Sequence, residues 1–181
     1  DHDPRTVPAY LHLGDVHHRQ GQLAEAAETW ERLLEVAPDR AYLAFDRLEP
    51  IYAALGTPQR FAEQCRRLIA ANAQDWRARR ALAQHLAARG EAAEALELLL
   101  EAVVHNPHSL SLHQTIWQVL RQLGLEPSLV DRYVELTGQS VFYADPHVCV
   151  RCRYRSTELL WQCPHCHEWN SFLEERMKPA K

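Results

Sequence analysis

Ala9-Tyr10-Leu11-His12-Leu13-Gly14 opens a pattern that continues through Gly21, Ala26, Trp30 and Pro38. Within it, Leu23, Ala26, Ala27, Trp30, Leu33 and Leu34 recur at i, i+3, i+4 and i+7, the spacing of one helix face. Glycines then return at Gly21, Gly56, Gly90 and Gly124, with separations of 35, 34 and 34 residues. Each falls between two helical stretches, where a tight turn needs backbone freedom. Ala26 and Ala95 each lie five residues past such a glycine, where two helices cross closely and a large side chain would clash. The spacing predicts helices over 7–19, 23–36, 41–55, 58–72, 75–89, 92–105, 109–123 and 126–138, paired by the glycine turns.

A helix–turn–helix unit repeating near 34 residues, with an aromatic, Leu-Gly, Gly, Ala, an aromatic and Pro in that order, resembles the tetratricopeptide repeat. The expected fold class is therefore all-α, a repeat superhelix of about four helix pairs over residues 1–140. Thr57-Pro58, Asp75 and Ser109 stand where N-caps or first-turn residues belong. The second unit is irregular, with Phe61 near the small position and Ala73 where proline is expected; in the fourth, Trp117 stands where Gly14 stood. Pro4 lies 34 residues before Pro38, so the sequence reads as starting inside a longer array, without a polar capping element at its start. An uncapped start would favour association with a second copy.

A second pattern occupies the last sixth of the chain. Cys149-Val-Arg-Cys152 and Cys163-Pro-His-Cys166 are separated by ten residues. Two intervening residues let a backbone turn aim both sulfurs of a pair at one ion, and ten residues suffice for a hairpin that brings the pairs together. Cys149, Cys152, Cys163 and Cys166 are the candidate metal ligands. Thiolates are soft, so the set favours one zinc, or one iron in a rubredoxin-like centre, over a hard cation. Four cysteines complete a tetrahedron and leave no position for water, which points to a structural ion. A segment of about 25 residues cannot bury enough apolar surface to fold alone, so the ion holds it. A small β ribbon is expected over 141–173, with a tail at 174–181. Gln139 to Asp145 is a short connection containing Val141, Phe142 and Tyr143, which should dock the ribbon as a cap on the last helices.

Composition sets the remaining bounds. The 181 residues carry a net charge of −4, and the arginines are scattered among acids without forming a basic face for nucleic acid. Arg151, Arg153 and Arg155 alternate along the ribbon, but Glu158 and Glu168 nearly offset them. No stretch of eighteen apolar residues could span a membrane. The sequence holds no phosphate-binding glycine loop, no His-Glu-x-x-His and no nucleophile elbow, so catalytic residues are not expected and the default is a protein-binding scaffold. His17 and His18 read as surface residues, His165 and His167 as bystanders to a completed ligand set, and Cys65 as a small core residue. Trp161 and Trp169 should build the ribbon's core or its contact with the helices. Electron transfer by a rubredoxin-type centre and nucleic-acid binding by a zinc ribbon stay open as alternatives.

The union of repeats with Cys149-x-x-Cys152, the ten-residue spacer and Leu160-Trp161-Gln162-Cys163-Pro164-His165-Cys166-His167-Glu168-Trp169-Asn170-Ser171 resembles the lipopolysaccharide assembly protein B family. The departure is that Arg153 and His167 replace the glycine often found after a knuckle's second cysteine. The resemblance implies a non-enzymatic adaptor on the cytoplasmic face of the bacterial inner membrane, tied there by an N-terminal anchor upstream of this sequence, with the present stretch soluble. It implies as partners the lipid A deacetylase and a membrane AAA+ protease that degrades it, and no nucleic acid.

Overall fold

The computed structural model describes residues 6–107, 109–124, 147–156 and 159–174. Among these are seven α-helices, one 3-10 helix and a three-stranded sheet. The chain divides into two compact units, residues 1–85 and 86–181.

In the first unit, α1 (Thr6–Arg19) and α2 (Leu23–Val36) form a hairpin. Gly21 closes α1 at φ +76°, and the Gln22 N–H donates to the His17 carbonyl at 3.0 Å, a Schellman-type stop. The two helices approach closely because Gly14 has no side chain. A Cβ there would strike the Trp30 indole, which fills the space. The Trp30 ring is buried, and its Nε1–H donates to the Leu11 carbonyl at 3.3 Å. Ala26, Leu33 and Leu34 complete this buried face.

Residues Pro38–Ala44 wind as a 3-10 helix before α3 (Phe45–Ala54), which differs from the continuous helix expected over 41–55. Pro50 lies inside α3; it lacks the N–H that would bond the Asp46 carbonyl, and its ring crowds that oxygen. Leu48, Ile51 and Tyr52 of α3 are buried. Tyr52 Oη–H donates to the Glu31 carboxylate at 2.7 Å, and Arg60 donates to the other Glu31 oxygen at 2.8 Å. Burial, reinforced by the bond to Glu31, pushes the Tyr52 hydroxyl far above its ordinary pKa. Arg47 forks onto Asp15 at 2.7 and 3.2 Å, tying α3 to α1, and that bond holds the Asp15 carboxyl below its usual range.

The irregular second unit of the repeat resolves into a redistribution of volume. Phe61 of α4 (Gln59–Ala71) stands where Ala26 stood, and Cys65 stands where Trp30 stood. The large ring has moved one helical turn, and both residues are buried. Phe61 meets Phe45 edge-on at 5.9 Å and lies 5.3 Å from the His85 ring. Glu49 takes the place of Gly14, and its carboxylate pairs with His85 Nδ1 at 2.7 Å. Ala73 replaces the expected proline, and the turn is made by side chains instead. Asn72 Oδ1 accepts from the Gln74 N–H, and Asp75 Oδ1 caps the Ala78 N–H of α5 (Trp76–Ala88), both at 3.0 Å.

In the second unit, α6 (Ala92–His105) packs on α7 (Leu110–Gln122) through buried Ala95, Leu99, Ala102, Leu112, Thr115 and Val119. Ser109 precedes α7, but its hydroxyl bonds Ser111 Oγ at 2.9 Å and caps no N–H of that helix; the Thr57 hydroxyl likewise caps no N–H of the helix that follows it and donates back to the Tyr52 carbonyl. The helix expected over 126–138 and the connection Gln139 to Asp145 lie outside the described residues. The sheet has the order β2-β1-β3, with β1 (His147–Cys149) antiparallel to β2 (Arg155–Ser156) and to β3 (Phe172–Glu174). Cys149 pairs with Phe172 in that register.

Candidate metal centre

Two turns of the same construction present the four sulfurs. In the first, the Cys149 N–H donates to the Tyr154 carbonyl and the Arg153 N–H to the Cys149 carbonyl, both at 2.9 Å. In the second, the Cys163 N–H donates to the Glu168 carbonyl and the His167 N–H to the Cys163 carbonyl, again at 2.9 Å. Arg153 and His167 hold φ values of 65° and 57°, the left-handed conformation that glycine would adopt without a steric penalty. These are the two positions where the sequence departs from the glycine often seen. The turns keep their shape and carry the strain instead.

The sulfurs converge. Cys149 Sγ lies 3.7 Å from Cys166 Sγ and Cys152 Sγ lies 3.5 Å from Cys163 Sγ, each contact crossing from one turn to the other. All four lie within 4.8 Å of one another. A tetrahedron with metal–sulfur bonds of about 2.3 Å has edges of about 3.8 Å, so the donor set fits a thiolate-bound zinc or iron. Disulfides require sulfurs about 2.05 Å apart, and all four cysteines are free. One metal ion can be held here, by all four predicted cysteines together. His165 and His167 are exposed and belong to no ligand cluster among the described residues.

Electrostatics around the sulfurs is unequal. Burial opposes ionisation of Cys149, but the Ser171 hydroxyl and the backbone N–H groups of Cys152 and Arg151 outweigh it and bring the thiol down to about 6. Cys152 receives the Tyr154 N–H, yet burial and the neighbouring sulfurs drive it up to about 12. Cys166, with the Glu168 N–H beside it, is also raised by burial and by Cys163 and Cys149. A first thiolate makes each further one costly at these separations. A cation among them reverses that, since a coordinating thiol gives up its proton.

The shell around the sulfurs belongs to the ribbon itself. Cys149, Cys163 and Phe172 form its buried centre, with Leu159 and Leu160 packed against it. Tyr154 meets Phe172 edge-on at 6.4 Å. The Arg151 guanidinium pairs with the Glu168 carboxylate, strapping the first turn to the second. Trp161 is half-buried, but Trp169 is 55% exposed, so of the two places expected for it, the ribbon core and a contact with the helices, it does not take the first. Its backbone bridges to Gln162 while the ring faces outward, and smaller leucines fill the core. Ser171, in contact with Cys149, went unrecognised as a site residue because spacing marks ligands and not their hydrogen-bond donors. Cys65, the fifth cysteine, is buried in α4 as a small core residue, and burial pushes its thiol well above the usual range.

The family model of a rubredoxin metal-binding domain matches residues 147–174, and tetratricopeptide-repeat models match 7–40 and 53–134. Over 170 residues the chain is 24% identical to lipopolysaccharide assembly protein B of Haemophilus influenzae, covering 93% of this chain and 43% of that protein. Against the protein of the same name from Escherichia coli K12 it is 22% identical over 173 residues, covering 93% and 44%. The chain thus spans less than half the length of these relatives. A crystal structure of MamA aligns over 78% of this chain and 84% of its own at a TM-score of 0.51 and 21% identity, a likeness of fold alone. The expected all-α class, with its repeats and small metal ribbon, is borne out.

Proposed function

We propose that this chain, which belongs to the lipopolysaccharide assembly protein B family, is a non-enzymatic adaptor that presents a client protein for degradation. The observation that carries this reading is the closed shell of four sulfurs joined to an array of helix pairs. Four thiolates leave a metal no position for a substrate, so the ion's part is to hold the ribbon folded. Stacked helix pairs offer a long surface whose general use is to grip another protein.

By family resemblance, the client is the lipid A deacetylase, the recipient a membrane AAA+ protease, and the place of work the cytoplasmic face of the inner membrane. In this reading the ribbon docks on the last helices as the array's C-terminal cap. The Arg151–Glu168 pair offsets charge that a nucleic-acid-binding ribbon would keep free for phosphates. The test is the half-life of the deacetylase in the source bacterium after translation is stopped. With the gene deleted, the deacetylase should persist several-fold longer, and its co-purification with the tagged native protein should be lost when the ribbon is removed. An unchanged half-life in the deletion strain would overturn the adaptor reading.

A further inference from the structure

We infer that Ser171 is a positioning residue of the metal centre, its hydroxyl holding Cys149 Sγ in place as a ligand. The inference rests on the four-sulfur site and is independent of any client. Ser171 is 4% exposed, and its Oγ lies 3.2 Å from Cys149 Sγ and 3.3 Å from the Glu168 carbonyl oxygen. A hydroxyl has one proton for these two acceptors. With Cys149 as a thiol, the S–H donates to Ser171 Oγ and the hydroxyl donates onward to Glu168. With Cys149 as a metal-bound thiolate, the sulfur has no proton to give, and the hydroxyl turns to donate to the negative sulfur, the stronger acceptor.

The backbone fixes Ser171 for this task. Its carbonyl accepts the Val150 N–H at 2.7 Å, which locks the residue beside the first turn, one position before Phe172 pairs with Cys149. The two turns share the pair of backbone hydrogen bonds that closes each, but Pro164 stands where Val150 does and has no N–H to give, so the Val150 bond and the Ser171 hydroxyl both belong to the first turn alone. Among the described residues, the equivalent sulfur of the second turn, Cys163 Sγ, is approached by the Cys152 sulfur and by no hydroxyl. Ser171 also links the turns, because Glu168, its other acceptor, belongs to the second. Partners of this kind orient a ligand and tune its donor strength.

The test uses the full chain and its Ser171→Ala and Ser171→Thr variants, each loaded with Co(II) as a spectroscopic probe and titrated with Zn(II) against a chromophoric chelator. Ser171→Ala should raise the apparent zinc dissociation constant about 10- to 100-fold. It should also move the thiolate-to-cobalt absorption to lower energy, because a sulfur without its donor holds its electrons less tightly. Ser171→Thr keeps the hydroxyl and should match the parent in both readings. If the alanine variant fails to load while the threonine variant loads normally, the hydroxyl is required and the inference stands. It is overturned if alanine binds zinc within twofold of the parent with an unshifted band, or if alanine and threonine are impaired alike, since packing would then be the cause.

Discussion

The helical array and the ribbon reach a fixed structure by opposite routes. In the array, one problem of packing two helices is solved repeatedly and differently. Gly14 yields space to Trp30, whereas Phe61 takes the bulk in the next unit and Cys65 gives it up. Proline ends one unit at Pro38, and Asn72 with Asp75 makes the corresponding turn without it. The ribbon has no such latitude. Its strands are three, two and three residues long, and among its described residues the buried cluster is Cys149, Cys163 and Phe172, two of them candidate metal ligands. Burial is spread along the array and gathered around the sulfurs in the ribbon.

Two substitutions sharpen this contrast. Trp30→Ala should open a cavity between α1 and α2 and cost about 3–5 kcal/mol of local stability. The readout is hydrogen exchange across α1 and α2, with bound metal measured alongside. Faster exchange at undiminished metal content fits distributed stability; a loss under about 1 kcal/mol, or metal lost with it, would break the contrast from the array's side. A smaller effect, of opposite sign, is expected at Arg153→Gly. Left-handed backbone costs a non-glycine residue about 1–2 kcal/mol, and glycine returns part of that gain as unfolded-state entropy. The variant should resist chelators better than the parent, by about 0.5–1 kcal/mol in the competition midpoint. A weaker hold on the metal would show that the Arg151–Arg153 turn is held by its side chains and not by the left-handed backbone.

Much of this was legible in residue order. Six of the expected helices appear with ends within two residues, because buried positions at i, i+3, i+4 and i+7 leave a strong trace. The four cysteines were legible for a different reason, since their chemistry requires fixed spacing. Less local features were hidden. The 3-10 turn before α3 buries Ala41 and Ala44, which run on into Phe45 and Leu48 at helical spacing, so it reads as helix. Ser109 looked like a cap, but its hydroxyl found Ser111. Hydrophobicity alone left Trp169 either in the ribbon's core or against the helices, and the interior is filled by Leu159, Leu160 and Phe172 without it. Ser171 acts on a sulfur twenty-two positions earlier, a distance over which sequence carries no signal.

The measurement that bears most directly on the division of labour is site-resolved hydrogen exchange on Cys163→Ser against the parent, both saturated with zinc. The account predicts that the amides of Cys149, Arg153 and His167 lose protection, because three thiolates no longer close the shell that holds the ribbon. Helices α1 to α4 should exchange as in the parent, while α7 should loosen if the ribbon caps the array as proposed. Unchanged protection throughout the ribbon would contradict the account, and would mean that its few buried side chains fold it without the metal.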